Sequence, residues 1–276
     1  MIDLHLHTTA SDGRSTPAEL VREASAAGIT TLAVTDHDSV ASVRDVTLAA
    51  AAAGVEAVAG IEVTAVHEGR DVHVLGYFVD AESVALDAFL VHQREDRRRR
   101  VLEIAERLER LGAPIDRAAL VEAASAPGRS PGRPLVAAAL IAAGHARDVS
   151  DAFERFLVPG APAFVERVGP PPAEVVRRIG EAGGIAAIAH PGKLKMDALI
   201  PVMADAGMAA IEVFHPDHDA ADRARYEATA ARLGLLVTGG SDYHGPGTDR
   251  APSLGRIGIT QQAFDALVDR ARTRRP

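Results

Sequence analysis

Short apolar runs alternate with stretches of helical period at both ends of the chain, and a long helical block separates the two regions. IDLHLH (2–7), TTLAVTDH (30–37), VEAVAGIEVTA (55–65) and RDVHVLGYFV (70–79) read as strands: short, apolar and bounded by turn residues. STPAELVREASAAG between the first two carries its own helix start. Thr16 can cap, Pro17 suits the first turn, Glu19 completes a capping box and Gly28 ends the helix. SVASVRDVTLAAAAAG is a second helix. Beyond residue 170 the alternation returns as PPAEVVRRIGEAGG (helix), IAAIAH (strand), a helix to about Ala206, MAAIEVFH (strand), a helix to Leu233, and LLVTGGSDYHG (strand and loop). Strands alternating with helices predict a parallel sheet, with a barrel as one form of it.

From about Asp87 to Ala161 the signal is helical. REDRRRRVLEIAERLERLG reads as one long charged helix whose RRRR run is expected to form a solvated face, with contact to an acidic substrate as the alternative. APGRSPGRP is a Gly/Pro turn, and two more helical stretches follow. The expected organisation is a barrel from residues 1–85 and 170–276, with a small helical insertion, 86–169, covering its mouth. RARTRRP at the end reads as a frayed basic tail.

Composition narrows the picture. The chain has 276 residues, 47% hydrophobic, enough for one large α/β domain carrying an insertion. A formal net charge of −8 argues against a basic nucleic-acid surface as the main source of affinity, but leaves a nucleotide substrate open. There is no cysteine, so disulfides and thiolate metal sites are excluded. No apolar run approaches the ~20 residues of a membrane span, and the N-terminus lacks the pattern of a signal peptide. A cytoplasmic protein is expected, without a membrane or an obligate protein partner.

The candidate chemistry lies at the strand ends. His37, Glu62, His190 and His215 each close an apolar strand, and Asp242 and His244 follow another. In parallel α/β folds these ends converge on one site. His5 and His7 are spaced i, i+2, so a strand aims both imidazoles at one cavity; Asp242 and His244 repeat the spacing. Buried together without partners, His5, His7, Asp12, His37, Glu62, His73, His190, Asp242 and His244 would each cost a few kcal/mol, at about 1–3 per group. A divalent cation removes that cost, and the nitrogen and oxygen donors suit Zn, Mn or Fe. His67, His92 and His145 are expected to be ordinary surface or core histidines.

The H-x-H start, TDHD at 35–38, GIE at 60–62, AHPG at 189–192 and SDYH at 241–244 together resemble the PHP (polymerase and histidinol phosphatase) superfamily. The match covers about residues 1–80 and 183–250. It implies a distorted (β/α)7 barrel with two to three divalent ions (Mn, Zn, Fe or Mg) at its mouth. By that resemblance His5, His7, Glu62 and Asp242 hold one ion. Glu62 bridges to a second held by His73 and His190, and Asp12, His37 and His244 hold the third.

The insertion narrows the resemblance. GRPLVAAAL, the AFERFL helix and an AFV strand are similar to the subgroup acting on nucleotides, which includes 3′,5′-nucleotide bisphosphate phosphatases and 5′-to-3′ RNA exonucleases. Leu135 stands where that subgroup usually has His. The implied activity is hydrolysis of a nucleotide phosphate monoester, such as pAp or a nucleoside monophosphate, by metal-activated hydroxide. Exonuclease action on short RNA is the alternative; a histidinol-phosphate-type phosphatase and a non-catalytic metal module are further ones. Arg133 is the expected phosphate clamp, with Arg129 as the alternative. Lys193, His215 and His218 are candidates to contact substrate. His37, Asp38 and His215 are candidates for catalytic roles, and His215 is also a candidate tenth ligand. No G-x-S-x-G elbow is present.

Overall fold

The computed structural model describes residues 1–126 and 128–273. Seven strands, in order β1 (Ile2–Leu6), β2 (Thr31–Val34), β3 (Glu56–His67), β4 (Arg70–Tyr77), β5 (Ile185–Ile188), β6 (Ala210–Phe214) and β7 (Leu236–Gly239), form one sheet whose spatial order is the sequence order. The sheet nearly closes into a barrel. Past the end of β7, the chain returns alongside β1: His7 N–H donates to Tyr243 O at 2.9 Å, Leu6 bridges to Tyr243, and Ile2 bridges to Ile259. This is the expected distorted seven-stranded α/β barrel.

The sheet is not wholly parallel. The β1–β2–β3 and β5–β6–β7 pairings are parallel, but β4 runs antiparallel to both β3 and β5. The reason is the connection. His67 pairs with Arg70, leaving only Glu68 and Gly69 to turn the chain, both at positive φ (50° and 72°). Two such residues make a tight hairpin, whereas a parallel crossover needs a dozen or more.

Helices α1 (Pro17–Ala26) and α2 (Val43–Ala53) follow β1 and β2. The capping box of α1 forms as read: Thr16 accepts from Glu19 N–H, and the Glu19 carboxylate accepts from Thr16 N–H at 2.9 Å. Between β4 and β5 lie α3 (Val84–Arg110), α4 (Arg117–Ser125), α5 (Arg133–Ala142), α6 (Val149–Ala152), a π-helical turn (Phe153–Leu157) and α7 (Pro172–Glu181). Val101, Ile104, Leu108, Val136, Leu140 and Phe156 give the helical block its own core. Pro127, within the APGRSPGRP turn, lies outside the described residues.

The AFV segment is not a strand. Ala163 and Val165 are buried in the helical core, and Val165 O accepts from Arg100 Nε at 2.8 Å. Nor is the RRRR run a solvated face. Arg97 and Arg100, three residues apart on α3, turn inward and are only 8% and 7% exposed, while Arg99 faces out.

The second half continues with α8 (Pro191–Leu194), α9 (Leu199–Asp205), α10 (Ala220–Leu233) and α11 (Gln261–Arg272). No element is expected from the sequence at α11; Phe264, Leu267 and Ala271 dock it against the barrel. The expected basic tail begins inside α11, and residues 274–276 lie outside the described residues. Among the described residues no helix is long and apolar enough to cross a membrane.

Candidate metal centre and its pocket

The parallel strands end at one mouth of the barrel, and the nine expected ligands meet there. β1 brings His5 and His7, the loop after it Asp12, the loop after β2 His37, β3 Glu62, β4 His73, the end of β5 His190, and the segment after β7 Asp242 and His244. Glu62 sits in the middle, 1% exposed. Its Oε2 lies 3.3 Å from His5 Nε2, 3.3 Å from His7 Nε2 and 3.1 Å from His37 Nδ1; its Oε1 lies 2.8 Å from His73 Nδ1 and 3.1 Å from His190 Nε2. Asp242 Oδ1 is 3.3 Å from both His5 Nε2 and His7 Nε2. Asp12 faces His244 Nε2 at 3.2 Å and His37 Nε2 at 3.7 Å.

Three overlapping groups here have the spacing to hold a cation: His5–His7–Asp242, His37–Glu62–His73, and His7–Asp12–His37–His244. The fit is tested by atoms left over. His7 Nε2, Asp12 Oδ1, His37 Nδ1 and His73 Nδ1 are buried, close to opposite partners, yet make no hydrogen bond among the described residues. Each such group costs about 1–3 kcal/mol unless something satisfies it. Donors crowded together without hydrogen-bond geometry between them suit a shared cation. The backbone is strained at the same place: His190 (φ 32°), Asp38 (φ 47°) and Asp242 (φ 52°) take left-handed conformations that L residues rarely adopt.

Electrostatics divide the histidines. Burial would raise the Glu62 carboxyl, but His37, His73 and His5 reverse this and hold it well below its ordinary range. Asp12, beside His244 and His37, and Asp242, beside His5 and His244, follow the same balance. Burial also works against charged imidazole, and at His190 it wins, pushing the ring down to about 4. It wins at His37 too, despite Glu62 and Asp12. At His5, Glu212, Glu62 and Asp242 outweigh burial and raise the ring well above normal; at His244, Asp12 and Asp242 raise it to about 10.

Beside this cluster opens a cavity lined by Asp12, His37, Glu62, His73, His190, Asp242 and His244 on one side and by Arg97, Arg100, Arg133 and Arg167 on the other. Asp38 anchors two of the arginines, with Arg97 Nε at 2.5 Å and Arg167 Nη2 at 2.8 Å; Arg97 Nη2 also donates to Thr64 Oγ1 at 2.9 Å. Asp71 holds the other two, each at 3.4 Å from its Oδ2. Arg167 Nε is buried with no hydrogen-bond partner among the described residues.

The other expected residues fall as follows. Lys193 lines the cavity at an exposed position. Arg129 is not among the lining residues. Asp38 is fully buried. Although burial opposes it, Arg167 and Arg97 hold its carboxyl well below the usual range, and it anchors both arginines. His215 is fully buried behind Asp242, with Nε2 at 3.3 Å from Asp242 Oδ2. His218 is 3% exposed, and the backbone takes both its nitrogens: Nδ1 meets Val213 O at 2.8 Å and Nε2 accepts from Gly192 N–H at 3.0 Å. His67, His92 and His145 lie outside these groups, and Leu135 packs against the helical core.

Sequence reasoning passed over Glu212, Asp3 and Arg167, and met Arg97 and Arg100 only as part of the RRRR run, with substrate contact as the alternative. Glu212 carried a signal, an acid inside the apolar run AAIEVF, and it contacts His5 at 2.8 Å. Asp3, alone in MIDL, accepts from His5 N–H at 3.2 Å and Ser241 N–H at 3.0 Å. Within the RRRR run nothing local distinguishes the inward Arg97 and Arg100 from the outward Arg99, and Arg167 carried no signal.

Comparison with known proteins agrees with this geometry. The PHP domain model matches residues 3–123. A 3′,5′-nucleoside bisphosphate phosphatase from Chromobacterium violaceum is 34% identical over 257 residues, 89% of this chain and 88% of that protein. A phosphoribosyl 1,2-cyclic phosphate 1,2-diphosphodiesterase from Eggerthella lenta is 36% identical over 92% of this chain and 97% of that one. The 5′-3′ exoribonuclease Rnm of Escherichia coli is 32% identical, covering 88% and 85%. Among solved structures, one described as a metal-dependent phosphoesterase from Bifidobacterium adolescentis superimposes with a TM-score of 0.90 at 32% identity, covering 98% of this chain and 96% of that chain.

Proposed function

As a member of the PHP domain family the chain is a metal-dependent phosphoester hydrolase, and we propose that its substrate is a small nucleotide with two phosphate groups, a 3′,5′-bisphosphonucleotide such as pAp first among them. The observation carrying this reading is the arginine wall. Four guanidinium groups share two carboxylates beside the metal cluster, leaving positive charge for an anion that the cluster does not itself hold. Asp71 stands two residues before His73 on β4, so the carboxylate that holds Arg100 and Arg133 lies on the same face of that strand as a candidate ligand. That placement suits a second phosphate bound beside the one held at the cluster.

In this reading two to three divalent ions are distributed as the resemblance implies, over His5, His7, Glu62 and Asp242; over Glu62, His73 and His190; and over Asp12, His37 and His244. The donors fit Mn, Zn or Fe, with Mg as a further option. Bound there, such ions would neutralise a phosphate and bring the pKa of water near neutrality. The chain's own residues do the rest. Arg97, Arg100, Arg133 and Arg167 bind the second phosphate, and Thr64 and Asp38 fix Arg97. Lys193 reaches the anion from the rim. Val101, Ile104 and Phe153 line the same cavity and give the nucleoside an apolar wall. Hydrolysis breaks the P–O ester bond, adding the water oxygen to phosphorus and a proton to the leaving alkoxide. Residues 1–85 and 170–276 form the metal-holding barrel and 86–169 the helical cover, which supplies Arg97, Arg100, Arg133 and Arg167. A nucleotide substrate suits a cytoplasmic enzyme.

A second reading, exonuclease action on a short 5′-phosphorylated RNA, is favoured by the similarity to the Escherichia coli exoribonuclease along most of the chain. It uses the same arginines for the terminal phosphate. The deciding measurement is product analysis with added Mn²⁺ on pAp, AMP, a 5′-phosphorylated RNA trimer and histidinol phosphate. Chelator-sensitive phosphate release, fastest from pAp, is expected. Nucleotide release from the trimer at a comparable rate establishes the exonuclease, and preference for histidinol phosphate removes the nucleotide reading.

A further inference from the structure

One metal-capable group reaches beyond the nine expected ligands: His5, which it shares with them, joins Glu212 and His215 at the end of β6, bringing two imidazoles and a carboxylate together. We infer that Glu212 is not the ligand of a further ion but a positioning residue that fixes two metal ligands at once, the His5 ring and the His190 backbone.

Both oxygens of Glu212 are occupied. Oε1 lies 2.8 Å from His5 Nδ1, and Oε2 accepts from His190 N–H at 2.6 Å. A carboxylate only accepts, so the His5 proton sits on Nδ1. The Nε2 lone pair is then left facing the centre, where it lies 3.3 Å from both Glu62 and Asp242. His190 is held at the same time in its left-handed conformation, with φ 32°. Glu212 therefore joins a ligand of the first ion to a ligand of the second.

His215 cannot complete a further site. Its Nδ1 accepts from Asp217 N–H at 3.1 Å, so its proton is on Nε2 and points at Asp242 Oδ2. No lone pair remains for a cation. Arg250 Nε approaches the same oxygen at 3.4 Å, which leaves Asp242 Oδ1 toward His5 and His7. The group under the centre is thus a hydrogen-bonded floor.

The requirement for a carboxylate is specific. His5 Nδ1–H and His190 N–H are two donors converging on one side chain. Glutamine has the same shape but a single acceptor oxygen, so one donor would face an NH₂ group.

This inference rests on reading the cluster as a metal centre, and the test separates the two. Wild type and Glu212→Gln are stripped of metal, and Zn²⁺ uptake is followed by competition with a chromogenic chelator and by elemental analysis. The variant is expected to keep the wild-type circular dichroism and the same ion count at saturation, to bind roughly 10–100-fold more weakly, and to regain activity as metal is raised. Unchanged affinity overturns the inference. Loss of one ion, with the others bound as tightly as before, also overturns it, because Glu212 would then be a ligand. A wild type that takes up no ion removes the metal-centre reading itself. Should the variant not fold, long-range ¹H–¹⁵N correlation spectra of the zinc-loaded wild type decide: a proton on His5 Nδ1 supports the inference, and an unprotonated Nδ1 overturns it.

Discussion

Each ligand's contribution depends on its position relative to Glu62. Asp12 and His37 stand on the outer side, and their carboxylate and ring face each other at 3.7 Å. Asp12→Ala or His37→Ala is expected to lower the bound-metal count by elemental analysis and to cut turnover by about 10²–10³-fold, with an unchanged circular dichroism spectrum. Arg133 stands on the other wall and touches no ligand of the cluster directly. Arg133→Ala should raise KM for pAp by about tenfold or more, since a charge-assisted hydrogen bond contributes about 1.5–3 kcal/mol, and should leave hydrolysis of p-nitrophenyl phosphate nearly unchanged. At this scale the sequence was legible where chemistry repeats a spacing. His5/His7 and Asp242/His244 are i, i+2 pairs, and His37, Glu62 and His190 close apolar strands. It was not legible where a role depends on a partner more than a hundred residues away. Glu212 acquires its role from His5, and Arg167 from Asp38. His215 and Asp38 adjoin the motifs, but their contacts, His215 with Asp242 and Asp38 with Arg97 and Arg167, could not be read from those motifs.

Elements set those places. All seven strands were readable from apolar runs, and α1 from its capping box, because these signals are local. The direction of β4 was written in Glu68–Gly69, a two-residue turn too short for a crossover. α11 was not readable: its apolar positions Phe264, Leu267 and Ala271 are diluted among charged residues, and its place is set by docking on the barrel. The inward turn of Arg97 and Arg100 likewise follows from how α3 lies on the cavity. One element junction has a sharp requirement. Gly240 passes β1 so closely that a Cβ there would press on the backbone nitrogen and Cβ of His5 and within 2.7 Å of Asp3 Oδ1. Gly240→Ala is expected to destabilise the fold by about 1–3 kcal/mol in urea titration and to weaken metal binding, because relief must move β1 and His5 with it.

The candidate centre draws on the whole barrel, since its expected ligands run from β1 to the segment after β7. Removing metal with a chelator should lower the thermal midpoint by about 5–10 °C, the shift expected when an ion present at about a hundredfold its Kd is taken away. Protons enter the same balance. His5, raised above its ordinary value by Glu212, Glu62 and Asp242, and His244, raised to about 10 by Asp12 and Asp242, hold protons more strongly than free imidazole, so an ion taking their ring nitrogens competes with protons. Affinity should therefore rise with pH through the neutral range, and calorimetry in buffers of different ionisation heat should register the released protons. The closure of the barrel has one more consequence. His5 and His7 are made long before Asp242 and His244, and the first ion would need His5, His7 and Asp242 together. A nascent chain that has not yet reached Asp242 carries most of the histidines but cannot complete that site. Activity therefore waits on the synthesis of the segment after β7.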